Sequence, residues 1–137
     1  MSDNGLWDEH AQWWIDGFTN GADPEYVEQI IPLAVEELAG RFKVLDLGCG
    51  DGQIARALAA QGSDVLGVDP TQLHIDIAIE RGGGPRYLLG GATSIPATNN
   101  SFDAVVACLV FEHIDQMDEA MTEVARVLKP QGQFSFF

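Results

Sequence analysis

From residue 42 onward the chain alternates between short apolar runs and stretches in which apolar residues return every three or four positions. The runs at 42–47, 64–68 and 101–108 predict buried strands, because a parallel strand covered by helices on both faces needs no polar alternation. Residues 133–137 open what reads as a fifth strand. Between the runs, Ile54 and Leu58 lie four apart, as do Leu73 and Ile77, so each pair shares one face of a helix. Ile114, Met117, Met121, Val124 and Leu128 recur at three and four and predict a core helix whose methionines serve packing. Lys129 suits the negative end of that helix, and Pro130 with Gly132 is expected to stop it.

Ahead of the alternation the pattern is helical alone. Trp7, Ala11, Trp14 and Phe18 fall on one face, with His10 and Trp13 beside them, and the Asn-Gly-Ala run at 20–22 breaks the helix. Asp23 and Pro24 read as the cap and first residue of a second helix carrying Val27, Ile30, Ile31 and Ala34, kinked or split at Pro32. The expected division is a helical cap segment over 1–40 and a strand-helix core over 41–137, one domain overall. Alternating strand and helix give an α/β fold, a doubly wound parallel sheet with right-handed crossovers. Ligands in such sheets bind beyond the carboxyl ends of the strands, and every candidate loop below follows a strand.

The most informative of these loops is Val-Leu-Asp-Leu-Gly-Cys-Gly-Asp-Gly at 44–52. Strand, glycine turn and helix are contiguous there, the context that gives a glycine motif meaning. A dinucleotide fingerprint has glycines at its first, third and sixth positions. Here Gly48 and Gly50 are followed by Gln53 at the sixth, and the third glycine falls at Gly52. Asp46 at the strand end is a poor neighbour for a pyrophosphate and a good one for a ligand with ammonium and sulfonium charge. Asp69 closes the next strand about 20 residues later, where a ribose-binding acid is expected. The plainer reading of Asp69 is a cap for the helix opened by Pro70 and Thr71.

These residues resemble motif I of the class I S-adenosylmethionine (SAM) dependent methyltransferases. The segment Gly-Gly-Ala-Thr-Ser-Ile-Pro at 90–96 is similar to that family's third-strand loop. An acid that commonly meets the adenine amino group is replaced there by Gly91, which leaves backbone contacts from Ala92 and Thr93 and removes roughly one hydrogen bond, ~0.5–1.5 kcal/mol. The Phe-Asp opening of the fourth strand and His113 beyond it complete the likeness. The resemblance implies a cofactor set of Asp46, Gly48, Cys49, Gly50, Gly52, Asp69, Pro70, Ala92, Thr93, Cys108, Leu109 and His113, with His113 the one candidate base at the methyl-transfer mouth. It also implies a lid role for the N-terminal helix, against the alternative that its aromatics only pack. Seven strands are implied, the last two an antiparallel pair for which residues 1–137 hold no counterpart, so a fragment of a longer protein is expected. The apolar fifth strand would then leave an open edge at Phe134, Phe136 and Phe137, inviting pairing with a second copy.

Composition narrows the partners. Seven basic against 21 acidic residues give a formal net charge of -14, which repels nucleic acid and anionic membranes. With no signal-peptide pattern and no apolar run of spanning length, a soluble cytoplasmic domain acting on a small molecule is expected. Cys49 and Cys108 follow neighbouring strands, and without a secretory signal or metal-like spacing they read as reduced thiols, with no metal site. His10 and His74 have no partner in sequence and receive no role. The expected activity is methyl transfer to oxygen or nitrogen. The alternatives are a SAM-binding module without transferase activity and a nicotinamide-dependent dehydrogenase.

Overall fold

The computed structural model describes residues 24–107 and 114–137. The aromatic segment at 7–18 and the loop bearing Cys108, Leu109 and His113 lie outside them. The described chain runs α1 (Pro24–Glu37), β1 (Lys43–Leu47), α2 (Gln53–Ala60), β2 (Asp64–Asp69), α3 (Gln72–Arg81), β3 (Arg86–Leu89), β4 (Phe102–Ala107), α4 (Ile114–Val127) and β5 (Leu128–Phe136). The five strands form one sheet in the order β3-β2-β1-β4-β5, and every pairing is parallel. The expected α/β architecture is present. Strand order reverses between β1 and β4, the switch point beyond whose carboxyl ends ligands bind in such sheets.

Alternation along β1 explains the two layers. Val44 packs with Ala34 of α1 and Leu38 just beyond it, Ile54 and Leu58 of α2, and Ile75 and Ala78 of α3. Leu45 and Leu47 turn to the other face, against Val124 and Val127 of α4 and Phe102 and Val105 of β4. Asp46 shares the parity of Val44 and is 1% exposed. The opposite end of the sheet is clasped by Asp103. Its Oδ2 accepts the Lys43 N–H at 2.8 Å and its Oδ1 accepts Lys129 Nζ at 3.3 Å. The Lys43 amide above all holds its carboxyl below the usual range.

Several local expectations need correction. Phe42 is 58% exposed, and the strand starts one residue later. α1 is one helix with Pro32 inside it, not two pieces. The buried face of α3 is Ile75 and Ala78, with Leu73 and Ile77 only half-buried. On α4 the sheet contact is Ala120, Val124 and Val127, while Met117 and Met121 are exposed. A small alanine lets the helix sit close to the sheet, and that rotation turns the long methionines outward. The helix also ends before Leu128, and Lys129, Pro130 and Gly132 belong to β5. The strand absorbs them with a register shift opposite Phe102 and Ala104 and a positive φ at Gln131, as a bulge on an edge strand permits.

Candidate cofactor site

β1 and β2 deliver two acids to the crevice. Asp46 stands in β1 and Asp69 ends β2. Burial, and then the charge of Asp69, push the Asp46 carboxyl up to about 7, against the pull of the Ala55 N–H in the first turn of α2. Asp69 is 6% exposed. Its Oδ2 accepts the Gly50 N–H at 2.9 Å and its Oδ1 accepts the Thr71 N–H, also at 2.9 Å. The ribose candidate therefore both braces the loop and anchors the entry to α3, whose N-cap is Thr71.

The glycine loop is stitched to β2. Gly48 and Cys49 donate their N–H groups to the Val68 carbonyl at 2.7 and 3.0 Å, and Gly52 donates to the Cys49 carbonyl at 3.0 Å. With Gly50 committed to Asp69, the amides of Gly48, Cys49, Gly50 and Gly52 are all engaged within the protein. Cys49 is a buried free thiol, its ionisation suppressed by burial and then by the neighbouring acids. Gly52 caps α2 at φ 92°. A Cβ at Gly52 would strike the Tyr87 hydroxyl, and one at Gly67 would come within 2.6 Å of the same ring. Tyr87 of β3 thus lies flat across β2 and reaches the underside of the loop. Burial raises its phenol to about 12 despite the Arg56 guanidinium nearby. Arg56 Nη1 donates to the Asp51 carbonyl, and Arg81 Nη1 pairs with Asp51 Oδ2, both at 2.7 Å.

The loop after β3 carries Ala92 and Thr93. Gly91 bridges to Ser94, Ala92 is half-buried and Thr93 exposed. α4 pins the segment that follows. Glu123 Oε1 accepts the Ile95 N–H at 2.8 Å, while Arg126 donates to Glu123 Oε2 at 2.6 Å and to the carbonyls of Ala97 and Ile95 at 2.8 and 2.9 Å. The Arg126 hydrogen bond keeps the Glu123 carboxyl below its usual range.

Among the described residues, four buried side-chain polar atoms in this region have no hydrogen-bond partner: Asp46 Oδ2, Gln53 Oε1, His74 Nε2 and the Tyr87 hydroxyl. The first three stand in β1 and in the first turns of α2 and α3, and Tyr87 reaches beneath the glycine loop. An acceptor-rich crevice beside two acids suits a ligand that brings N–H, O–H and positive charge, and it repels a pyrophosphate. SAM, with an ammonium group, a sulfonium and ribose hydroxyls, fits that set of acceptors and acids. Sequence reasoning missed Gln53 and His74. Gln53 was visible as the residue standing where a dinucleotide loop has its third glycine. His74 lies five residues after Asp69, and its ring turns back to place Nδ1 3.2 Å from Asp69 Oδ1.

Comparison with known proteins agrees with this reading of the fold. Residues 45–136 match the family model described as a methyltransferase domain. An uncharacterized methyltransferase of Mycobacterium tuberculosis is 38% identical over 112 residues, covering 80% of this chain and 42% of the relative. A ubiquinone biosynthesis O-methyltransferase of Sinorhizobium medicae is 35% identical over 105 residues, covering 74% of this chain and 42% of that protein. A TehB-like SAM-dependent methyltransferase from Corynebacterium glutamicum superposes with a TM-score of 0.76 at 28% identity, covering 97% of this chain and 73% of that one. The chain spans about two-fifths of the length of these curated relatives. With the match running from β1 to the end of β5, the chain belongs to the methyltransferase-domain family.

Proposed function

We propose that this chain is the SAM-binding core of a methyltransferase that alkylates an oxygen or nitrogen of a small molecule. The observation that carries the reading is Asp46, a carboxyl buried at the switch point with Oδ2 unpartnered. Such a group needs a cationic or donor-bearing ligand to stabilise its charged form. Asp46 would hold the ammonium end together with carbonyls of the glycine loop, whose amides are already engaged. Asp69, with a lone pair still free beside its bonds from the Gly50 and Thr71 amides and the His74 ring, would accept a ribose hydroxyl. Pro70, Ala92 and Thr93 would bound the base, and Cys108, Leu109 and His113 would line the methyl-transfer mouth.

SAM supplies an already activated methyl group when bound. The protein then has to align the acceptor in line and, for a hydroxyl, remove a proton. His113 is the residue proposed for that proton. The acidic chain disfavours a nucleic-acid acceptor, and the similarity to a ubiquinone biosynthesis O-methyltransferase supports a small one. Among the described residues, no helix is long and apolar enough to cross a membrane. A cytoplasmic location is part of the proposal.

The test is calorimetry with S-adenosylhomocysteine and, separately, with NAD. Saturable binding of the first and none of the second is expected. NAD binding with no response to S-adenosylhomocysteine would overturn the reading. The second reading, a binding module without transferase activity, is favoured by Gly91, which stands where the family's adenine-binding acid is usual. It predicts that the gene's full-length product binds the cofactor and consumes none in the presence of small hydroxyl or amine acceptors.

A further inference from the structure

We propose that His74 is a cofactor-recognition residue. Its Nε2 accepts a hydrogen bond from a donor on the nucleoside half of the ligand, while its Nδ1–H holds Asp69. The inference rests on the SAM reading above and adds to it a residue outside the family's loop motifs.

Nδ1 lies 3.2 Å from Asp69 Oδ1. An ionised carboxylate only accepts, so Nδ1 carries the proton in that contact, and in a neutral ring Nε2 is then an acceptor. The His74 side chain is 12% exposed, and Nε2 is buried with no partner. Buried polar atoms are nearly always satisfied, and each exception calls for an explanation.

Position supplies one. His74 stands in the first turn of α3, a helix that packs on β2 and β3. Its Nδ1 is fixed to the acid proposed to grip ribose, so Nε2, across the same small ring, is no more than roughly 5.5 Å from that carboxylate oxygen, given a contact of this length. A nucleoside gripped by Asp69 carries ribose hydroxyls in that range, with the exocyclic amine of adenine farther out across the base. The neighbouring loop offers little competition for them. The Gly90 N–H is spent on the Asp69 carbonyl at 3.0 Å, and Gly91 has no side chain and nothing within 4 Å of where its Cβ would stand.

Two substitutions separate contact with the ligand from support of Asp69. His74→Asn places an amide N–H near the Nδ1 position and leaves no acceptor at Nε2, whereas His74→Phe removes both. The probes are S-adenosylhomocysteine, its analogue lacking the 6-amino group, and its 2′-deoxy and 3′-deoxy analogues, each titrated calorimetrically into wild type and both variants. Wild type is expected to disfavour at least one analogue by about three- to tenfold, the worth of one hydrogen bond. That discrimination is expected to vanish in both variants, and the analogue concerned identifies the donor. Full recovery of affinity and discrimination in His74→Asn would overturn the direct contact and leave a positioning role through Asp69. Equal analogue penalties in wild type and variants would overturn it as well. Should His74→Phe unfold, His74→Asn alone decides. A wild type that binds no adenosyl ligand would instead sink the SAM reading itself.

Discussion

Asp69 Oδ2 accepts the Gly50 N–H at 2.9 Å, so the acid proposed to grip one end of the cofactor already holds the loop proposed to grip the other. The two halves of the site cannot shift independently. Displacing the β2 terminus would drag the glycine turn with it, and the Gly48 and Cys49 bonds to Val68 reinforce that coupling.

Asp69→Ala is accordingly expected to lower S-adenosylhomocysteine affinity by tenfold or more and to lower the thermal midpoint as well. The substitution strips acceptors from Gly50 and Thr71 as well as from the ligand. Asp69→Asn, which keeps one carbonyl acceptor, should recover part of the stability and little of the binding. Calorimetry and thermal unfolding of both variants check this, and an unchanged dissociation constant would remove Asp69 from the site.

Asp46 should make the ligand-free protein less stable as pH rises. In the unfolded chain its carboxyl ionises near 3.9, whereas in the folded chain it does so at about 7. Between those values the folded form holds a proton that the unfolded form has lost. Stability therefore falls across that window and is level on either side, by an amount on the order of a few kcal/mol. Asp46→Asn is expected to abolish this slope, raise the urea midpoint at pH 8 and weaken cofactor binding. Urea titrations at pH 5 and pH 8 decide it, and parallel behaviour of the two proteins at both values would refute it.

Gly50→Ala and Gly52→Ala are expected to fail in different ways. Both positions have left-handed backbone, at φ 57° and 92°, which costs a residue with a Cβ ~1–2 kcal/mol. Nothing lies within 4 Å of a Cβ at Gly50, while one at Gly52 meets Tyr87 and adds an overpacking cost of ~1–3 kcal/mol. Gly50→Ala should stay folded with impaired cofactor binding, and Gly52→Ala should lose substantially more stability. Chemical denaturation of the pair provides the comparison.

Glu123→Leu should loosen the loop behind the adenine candidates without touching any ligand. It removes the acceptor for the Ile95 N–H and the partner of Arg126. Hydrogen exchange at the Ile95 amide is expected to accelerate about tenfold or more, with a smaller change for Glu123→Gln. Unaltered protection in Glu123→Leu would show that the loop is held by its other contacts.

β5 ends the described sheet with one side unpaired, and Phe136 is 53% exposed there. Phe134 and Phe137 are only half-buried and pack against the two core layers, so the apolar edge is narrower than three exposed rings. Light scattering is expected to find the 137-residue chain at least dimeric, with an association that persists in high salt because strand pairing and apolar burial are little screened. A monomer at high concentration would overturn this.

The elements legible in the sequence were those whose cause is local. Uniformly apolar runs announced β1, β2 and β4, and the glycines announced the turn between β1 and α2. What escaped was set by tertiary contact. Which face of α4 met the sheet depended on Ala120 fitting closely where Met117 and Met121 could not, and apolar spacing alone does not distinguish these. β5 began at Leu128 because pairing with β4 drew Lys129, Pro130 and Gly132, read from the sequence as a helix stop, into the strand. In the site, the two acids stood at strand ends where a one-dimensional reading could find them. His74 and Gln53 entered through the rotation of two helices, which no spacing records.

The Tyr87 ring rests on Gly67 and reaches beneath Gly52, and so makes three residues from three elements a single inherited unit. A lineage that replaced either glycine would first need a smaller residue at 87. One that shortened Tyr87 would open a void beneath the loop, which a side chain at Gly67 could then fill. Substitutions at 52, 67 and 87 should therefore travel together among descendants of this chain. A library randomising all three positions at once should recover folded variants that no single change can reach.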